Sequence, residues 1–214
     1  DYLVKRYGFI KVSWADALRE EVRVAFRLDD YTLFLDRELK DVPTSRLSLQ
    51  HCTDEGFEKI AMAIMLEQEA IAGRLDGPGP FEDPAFRPLS PRQILLWWGT
   101  EYRRAQDPDY WVERAFERIH AIRDAVAFPE QQPQYFVMPD TRFGNEQAAI
   151  AEVDGGNVWH IHRDMGTVAV NHVSAAPLPV LPGERELWNN DTIERLHEGV
   201  ELLLSTGARF VKVE

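Results

Sequence analysis

The 214-residue chain has the length of a single globular domain and a formal net charge of −12, from 24 Lys and Arg against 36 Asp and Glu. This charge argues against sustained binding to a long nucleic-acid backbone, although a local arginine cluster can still hold a small anion. The single cysteine, Cys52, excludes an internal disulfide and a multi-cysteine metal site. No apolar run reaches membrane-spanning length and no signal-peptide pattern opens the chain, so we expect a cytoplasmic protein without membrane association.

The first residues predict a helix end, a strand and a second helix. Residues 1–7 (DYLVKRY) are typical of the last turns of an amphipathic helix that Gly8 closes. Because the sequence begins inside a helix and lacks an initiator Met, we expect that a segment in front of Asp1 is missing. Residues 9–14 (FIKVSW) predict a short buried strand, and apolar residues at helical spacing follow Asp16.

Helices dominate the centre of the sequence. Residues 54–74 have the apolar spacing of an amphipathic helix, whereas the proline and glycine residues of 76–89 predict a loop or insert. Ser90 followed by Pro91 is a strong helix start, and a second helix is expected from about Pro108.

The last third predicts two strands between helices. Strands are expected at 135–138 and 158–162, and helices at 145–153 and from about Asp191 onward. A Gly155-Gly156 turn precedes the second of these strands. Strands separated by helices predict an α/β fold with a mostly parallel central sheet and helices on both faces.

Charged side chains follow two of the predicted strands. Ligands of parallel α/β sheets bind beyond the carboxyl ends of the strands, where Asp16 and the pair Asp140 and Arg142 are expected. A carboxylate there can hold Mg²⁺ and an arginine can neutralise a phosphate, which indicates phosphoryl chemistry. The alternative is that Asp140 caps the next helix and Arg142 forms a surface ion pair.

A second candidate site is the stretch WWGTEYRRAQDPDYW at 97–111. Gly99 interrupts a good helix at a cost of about 1 kcal/mol, which is tolerated more easily where a ligand approaches the backbone. Polar groups come from Thr100, Glu101, Arg103 and Arg104. The rings that could stack on a planar base are Trp97, Trp98 and Trp111. Packing of the tryptophans in the core is the alternative.

Three histidines form a weaker pattern. His160 and His162 alternate on a predicted strand and His172 could complete a metal site, but a packed or solvated strand face is the more common role of such residues. Arg163 directly after this strand is a candidate phosphate contact from a mobile lid. Neither a G-x-S-x-G nor a G-x-G-x-x-G motif is present.

Taken together, these segments resemble the deoxynucleoside monophosphate kinases of bacteriophages and their bacterial relatives, within the P-loop nucleoside monophosphate kinase superfamily. The resemblance rests on YGFIKVSWADALRE (7–20), SPRQILLWWGTEYRRAQDPDYWV (90–112), FVMPDTRFGNEQAAIAEVDGGNVWHIHR (136–163) and ELWNNDTIERL (186–196). Residues 29–89 match poorly.

The resemblance implies transfer of the γ-phosphoryl group of ATP to a deoxynucleoside monophosphate, with Mg²⁺. It also implies one P-loop kinase-like domain over 1–214, with a mainly helical substrate-binding region at 29–130 and a lid at 163–188. A homodimer is implied as well. The partners would be the monophosphate and ATP, without a stable nucleic-acid complex.

Residue roles follow from the resemblance. Asp140, Arg142 and Glu146 would line the monophosphate site, with Arg142 on the phosphate. Asp16 would lie near the reacting phosphates, and Arg163 would be the lid arginine. The remaining implied contacts are Gly99, Thr100, Arg104, Trp98 and Trp111 for the substrate, and Asn190 and Thr192 for the adenine of ATP.

The sequence departs from the family at two places. The family's G-x-x-x-x-G-K-[ST]-type loop is absent, because the chain has no Gly-Lys pair, and we expect this loop to precede Asp1. Residues 172–175 read His-Val-Ser-Ala where relatives often have His-x-Ser-Glu. Two alternative functions are a catalytically inactive nucleotide-binding protein and a kinase of the same fold that acts on a modified base in DNA, which the negative charge disfavours.

Overall fold

The computed structural model describes residues 1–29, 31–71, 83–126, 135–164, 177–207 and 210–213. It is a mixed α/β chain with short parallel strands. Two compact units are present: a sheet unit of residues 1–11 and 125–214, and a helical unit of residues 12–124. The assignment of 1–214 to one kinase-like domain, with the subdivisions given above, stays a prediction.

The helical unit is built from α-helices and one π-helix. The α-helices are α2 (Ala15–Ala25), α3 (Thr32–Leu35), α4 (Glu55–Ile71), α5 (Pro91–Leu96) and α6 (Tyr110–Asp124). The π-helix Trp97–Arg104 follows α5 directly, and short 3₁₀ turns occupy Ser45–Leu47, Leu49–His51 and Pro84–Phe86. The predicted helix at 54–74 is therefore confirmed as far as Ile71. Residues 76–82 of the predicted loop lie outside the described residues, and 83–89 contain the short 3₁₀ turn Pro84–Phe86.

The start of α5 shows why the sequence prediction there is correct. Ser90 Oγ accepts a hydrogen bond from the Gln93 N–H at 3.3 Å, and Gln93 Oε1 accepts one from the Ser90 N–H at 2.9 Å. Pro91 occupies the first helical position, where its missing N–H costs nothing. This reciprocal capping box stabilises the helix that leads into the π-helix.

The sheet unit contains two separate parallel sheets in the described residues. β1 (Ile10–Lys11) pairs with β2 (Phe136–Val137), and β3 (Trp159–His162), β4 (Arg185–Asn189) and β5 (Phe210–Val213) form a second sheet in that order. The helices are α1 (Tyr2–Tyr7), α7 (Gly144–Glu152) and α8 (Ile193–Thr206).

The strands differ from the predicted ones in length and number. β1 and β2 have two residues each, shorter than the predicted 9–14 and 135–138. β4 and β5 were not predicted. In β4 only Leu187 and Asn189 are buried, so the sequence RELWN lacks the apolar run of a strand buried on both faces.

Helix α8 packs on the three-stranded sheet and on α1. Leu187 of β4 is buried against Val200 and Leu203 of α8. Tyr2 of α1 stacks on His197 with ring centroids 3.9 Å apart. Gly8 ends α1 in the left-handed conformation, φ 70°, as the sequence predicts. In the parts of the chain that are described, no helix has the length and apolar character needed to cross a membrane.

Candidate functional site

Arg142 lies exposed beyond the carboxyl end of β2. Strand β1 runs beside β2 in parallel, so both strands end at the same edge of their sheet. Asp140 is half-buried at this exit. The guanidinium group of Arg142 makes no hydrogen bond or ion pair with the described residues. The surface ion pair considered as an alternative for Arg142 is therefore not found among them.

The Glu146 side chain caps the N-terminus of α7. Its Oε2 accepts hydrogen bonds from the backbone N–H groups of Arg142 at 2.7 Å and Phe143 at 3.2 Å, and its side chain is buried. The N-cap residue is Phe143, and not Asp140 as the alternative reading had it. Glu146 therefore fixes the backbone that carries Arg142, while its implied contact to substrate stays a prediction.

A buried polar network links α7 to β3. Gln147 Nε2 donates to both carboxylate oxygens of Glu184, each at 2.8 Å, and to the carbonyl of Pro179 at 2.8 Å. Glu184 Oε2 also lies 2.7 Å from His160 Nε2 and accepts from the Leu181 N–H at 2.7 Å. Burial by itself raises the pKa of the Glu184 carboxyl, but these hydrogen bonds outweigh burial and the pKa is lowered.

Each histidine of β3 lies beside a glutamate carboxylate. His162 stacks on Trp188 with centroids 4.4 Å apart, and its Nε2 lies 3.2 Å from Glu186 Oε2 without the alignment of a hydrogen bond. His172 lies outside the described residues. Over the described ranges, no group of three His, Cys, Asp or Glu side chains is arranged to hold a metal ion.

At the ends of β3 and β4, Asn190 contacts Asp164, which follows Arg163 in the sequence. The Asp164 N–H donates to Asn190 Oδ1 at 2.8 Å, and Asn190 Nδ2 donates back to Asp164 Oδ2 at 2.5 Å. Arg163, next to Asp164, is exposed and has no ion pair within the described part of the chain. Thr192 Oγ1 accepts from the Arg195 N–H at 3.3 Å and so caps α8. The roles of Asn190 and Thr192 in adenine binding stay predictions.

In the helical unit, Gly99 lies within the π-helix. Its carbonyl accepts a hydrogen bond from Trp111 Nε1 at 3.0 Å. A Cβ at Gly99 would lie 3.2 Å from Leu18 Cδ2, a tight contact. Packing against Leu18 therefore accounts for this glycine without a ligand. The π-helix itself is informative, since such wide turns recur at functional sites.

Trp98 and Trp111 belong to the core of the helical unit. Trp98 packs on Phe57 with ring centroids 4.5 Å apart, and Trp111 is buried as well. The structure therefore confirms core packing, the alternative role considered for these tryptophans. Stacking on a substrate base stays a prediction that would need their ring faces to become accessible.

Sequence reasoning missed the polar centre of the helical unit, Glu21. Its carboxylate accepts hydrogen bonds from Trp98 Nε1 and Arg103 Nε, both at 2.8 Å, and from the Tyr110 hydroxyl at 2.5 Å. Burial first, and then the bond to Glu21, raises the pKa of Tyr110 to about 12. Arg103 Cζ lies 4.5 Å from the Tyr102 ring centroid, a cation–π contact.

A signal for this cluster was present in the sequence. Glu21 stands three residues after Leu18 and one before Val22, and Val22 is fully buried. A carboxylate on the apolar face of a helix needs a partner, because burying an unpaired charge is costly.

The remaining predicted residues of the helical unit already have intramolecular partners. Asp16 Oδ2 accepts from the Ser13 N–H at 3.1 Å, and Asp16 Oδ1 lies 3.1 Å from Arg19 Nη1. Arg104 Nη1 donates to the Pro108 carbonyl at 3.1 Å, and Thr100 is half-buried in the π-helix. These contacts support the local structure, and catalytic or substrate roles for these residues stay predictions.

Comparison of the chain with models of known protein families and with curated proteins gives no significant match. The geometry of each unit is therefore the basis for a functional proposal. The sheet unit presents two exposed arginines after parallel strands, whereas most of the predicted contacts in the helical unit serve its interior or its helix ends.

Proposed function

We propose that the protein is a deoxynucleoside monophosphate kinase, which transfers the γ-phosphoryl group of ATP to a deoxynucleoside 5′-monophosphate. One observation carries the proposal. Arg142 and Arg163 each follow the carboxyl end of a parallel strand and are exposed without an ion pair to the described residues.

The exposed arginines are unexpected because the chain is acidic. Acidic residues outnumber basic ones by 36 to 24, so an exposed arginine has many carboxylates to pair with. Two arginines at strand ends, without an ion pair to the described residues, are suited to a doubly charged phosphate, which a guanidinium group binds through two parallel hydrogen bonds.

The proposal gives the protein residues separate tasks. Arg142, held by the capping contact of Glu146, binds the phosphate of the acceptor. Arg163 neutralises charge on the transferred group, because phosphoryl transfer depends on positioning and electrostatic stabilisation. ATP supplies the phosphoryl group when bound.

The proposal includes a kinase-like central sheet and a bound Mg²⁺ ion. In it, the two small parallel sheets belong to one central kinase-like sheet with helices on both faces and a lid at 163–188. Asp140 is the carboxylate at the β2 exit that would hold Mg²⁺, which in nucleotide enzymes is bound by one or two carboxylates together with substrate phosphates.

The test is a thermal-shift panel of the four natural deoxynucleoside monophosphates, with and without ATP and Mg²⁺, followed by an assay of ADP release. We expect one or more monophosphates to raise the melting temperature, because a ligand that binds only the folded state stabilises it. Absence of a shift with all four would overturn the proposal. A shift without ADP release would instead indicate the inactive nucleotide-binding protein.

A further inference from the structure

A cleft of about 370 Å³ lies in the helical unit, where the end of α2 meets the 3₁₀ turns at 45–51. Phe26 and Leu28 line it and are almost fully buried, so part of its wall is apolar. Arg27, Arg46 and His51 also line it. The volume lies in the range typical of sites for small organic ligands.

The backbone at Arg27 is unusual. Helix α2 ends in a Schellman motif, in which the Leu28 N–H donates to the Arg23 carbonyl at 2.9 Å and the Arg27 N–H to the Val24 carbonyl at 3.1 Å. Arg27 takes the left-handed position of this motif, with φ 53°. Glycine is the residue that this position favours, because a Cβ there is strained. A residue other than glycine held in this region is associated with functional sites.

The basic side chains of the cleft are without a hydrogen-bond or ion-pair partner among the described residues. Arg27, Arg46 and His51 are exposed, and their side chains make no hydrogen bond or ion pair with residues that the structure describes. Among the described residues, Asp29 is the acidic one that lines the cleft. Two arginines, with a histidine beside them, therefore line one cleft and can bind an anion, in a chain whose net charge is −12.

We propose that this cleft is a binding site for a small phosphate-bearing organic molecule. Arg27 and Arg46 bind the phosphate, since guanidinium groups form paired hydrogen bonds with phosphate oxygens. The organic part rests on the apolar wall at Phe26 and Leu28. This site goes beyond the proposed kinase function and does not depend on it.

The cysteine of the cleft does not point to covalent chemistry. Burial raises the pKa of the Cys52 thiol to about 11, so the thiol stays protonated at neutral pH. Its sulfur lies 3.7 Å from the Asp54 carbonyl, to which it donates. The cleft therefore offers no thiolate nucleophile at Cys52.

The test is calorimetric titration of the full chain with pyrophosphate, a probe that carries the phosphate chemistry alone. We expect binding to the wild type and a loss of at least about tenfold in affinity for Arg27→Gly, because one charge-assisted contact is removed. Arg46→Ala should cause a similar loss. Glycine suits the left-handed backbone, so the melting temperature of Arg27→Gly should equal or exceed that of the wild type.

Two control variants distinguish binding at this cleft from binding at other exposed arginines. Arg37→Ala removes the same charge from an exposed position outside the cleft and should leave the affinity unchanged. Arg142→Ala should also bind pyrophosphate through the cleft, whether or not the kinase proposal holds. Failure of the wild type to bind pyrophosphate, or an affinity for Arg27→Gly within twofold of wild type, would overturn the cleft proposal.

Discussion

Glu184 Oε2 and His160 Nε2 lie 2.7 Å apart, and the side chains of both residues are at most 10% exposed. Glu184 follows a turn before β4, and His160 lies on β3. Gln147 of α7 completes this buried polar network. In the sequence, His160 precedes Glu184 by 24 residues and Gln147 precedes it by 37. The network fixes α7 and β3 together, and these elements neighbour Arg142 and Arg163.

The first prediction concerns pH. The folded pKa of Glu184 is lowered relative to an unfolded value of about 4.3, so the ionised carboxylate stabilises the fold above that pH. This stabilisation is lost as pH falls through the folded pKa. We expect Glu184→Gln to be less stable than wild type by urea unfolding at neutral pH, with a difference that shrinks below about pH 4.

Glu186→Gln is the matched control, because Glu186 also lies beside a histidine but is 33% exposed. Its effect at neutral pH should be below about 1 kcal/mol. A Glu184→Gln difference that stays constant from neutral to acidic pH would show that Glu184 stabilises the fold by packing and not by its charge.

The second prediction concerns Glu21. Glu21→Ala removes the acceptor of Trp98 Nε1 and leaves Arg103 without its nearest carboxylate, at 2.8 Å. We expect the free energy of unfolding to fall by about 3 kcal/mol, the scale of breaking a half-buried charge network. Chemical denaturation measures it. Glu20→Ala, one residue away and more exposed, should cost less than about 1 kcal/mol; equal costs for both variants would contradict a central role for Glu21.

The third prediction tests why residue 99 is glycine. A Cβ at Gly99 would lie 3.2 Å from Leu18 Cδ2, so Gly99→Ala should destabilise the wild type by about 1–2 kcal/mol through overpacking. In a Leu18→Ala background this clash is absent, and Gly99→Ala should become neutral or stabilising by up to about 1 kcal/mol. A double-mutant cycle of unfolding free energies measures the coupling. Equal destabilisation in both backgrounds would remove Leu18 as the cause.

The fourth prediction tests the proposed kinase. Arg142→Ala should lower turnover of the preferred monophosphate by at least about 100-fold, the scale of losing one electrostatic contact in the transition state. The melting temperature should stay within a few degrees of wild type, because the side chain is exposed. Steady-state ADP release measures it, with Arg37→Ala as the control. Full activity of folded Arg142→Ala would remove the proposed mechanism.

Helix ends were the features most predictable from sequence. Ser90 with Pro91 and the glycine at position 8 mark helix boundaries that the structure confirms, since capping depends on residues adjacent in the chain. The strands were less predictable. β4 has few buried side chains, and its pairing with β3 and β5 depends on residues far away in sequence.

The candidate site was predictable only at its strand exits. Arg142 and Arg163 follow predicted strands, and an exposed charged residue at such a place can be found by inspecting the chain. The partners of Glu146 could be anticipated from helix-capping rules, but those of Gln147 could not, since the nearest atoms come from Pro179 and Glu184.

By itself, the sequence determined the helix ends at Gly8 and at Ser90-Pro91 and the charged residues after the predicted strands, because these depend on neighbours along the chain. Only the tertiary structure decided that Glu21 gathers Trp98, Arg103 and Tyr110, and that Arg27 adopts a glycine-like backbone at a cleft. The physical reason is that burial and hydrogen-bond partners across the fold depend on packing between residues far apart in the chain, which cannot be read from a local sequence pattern.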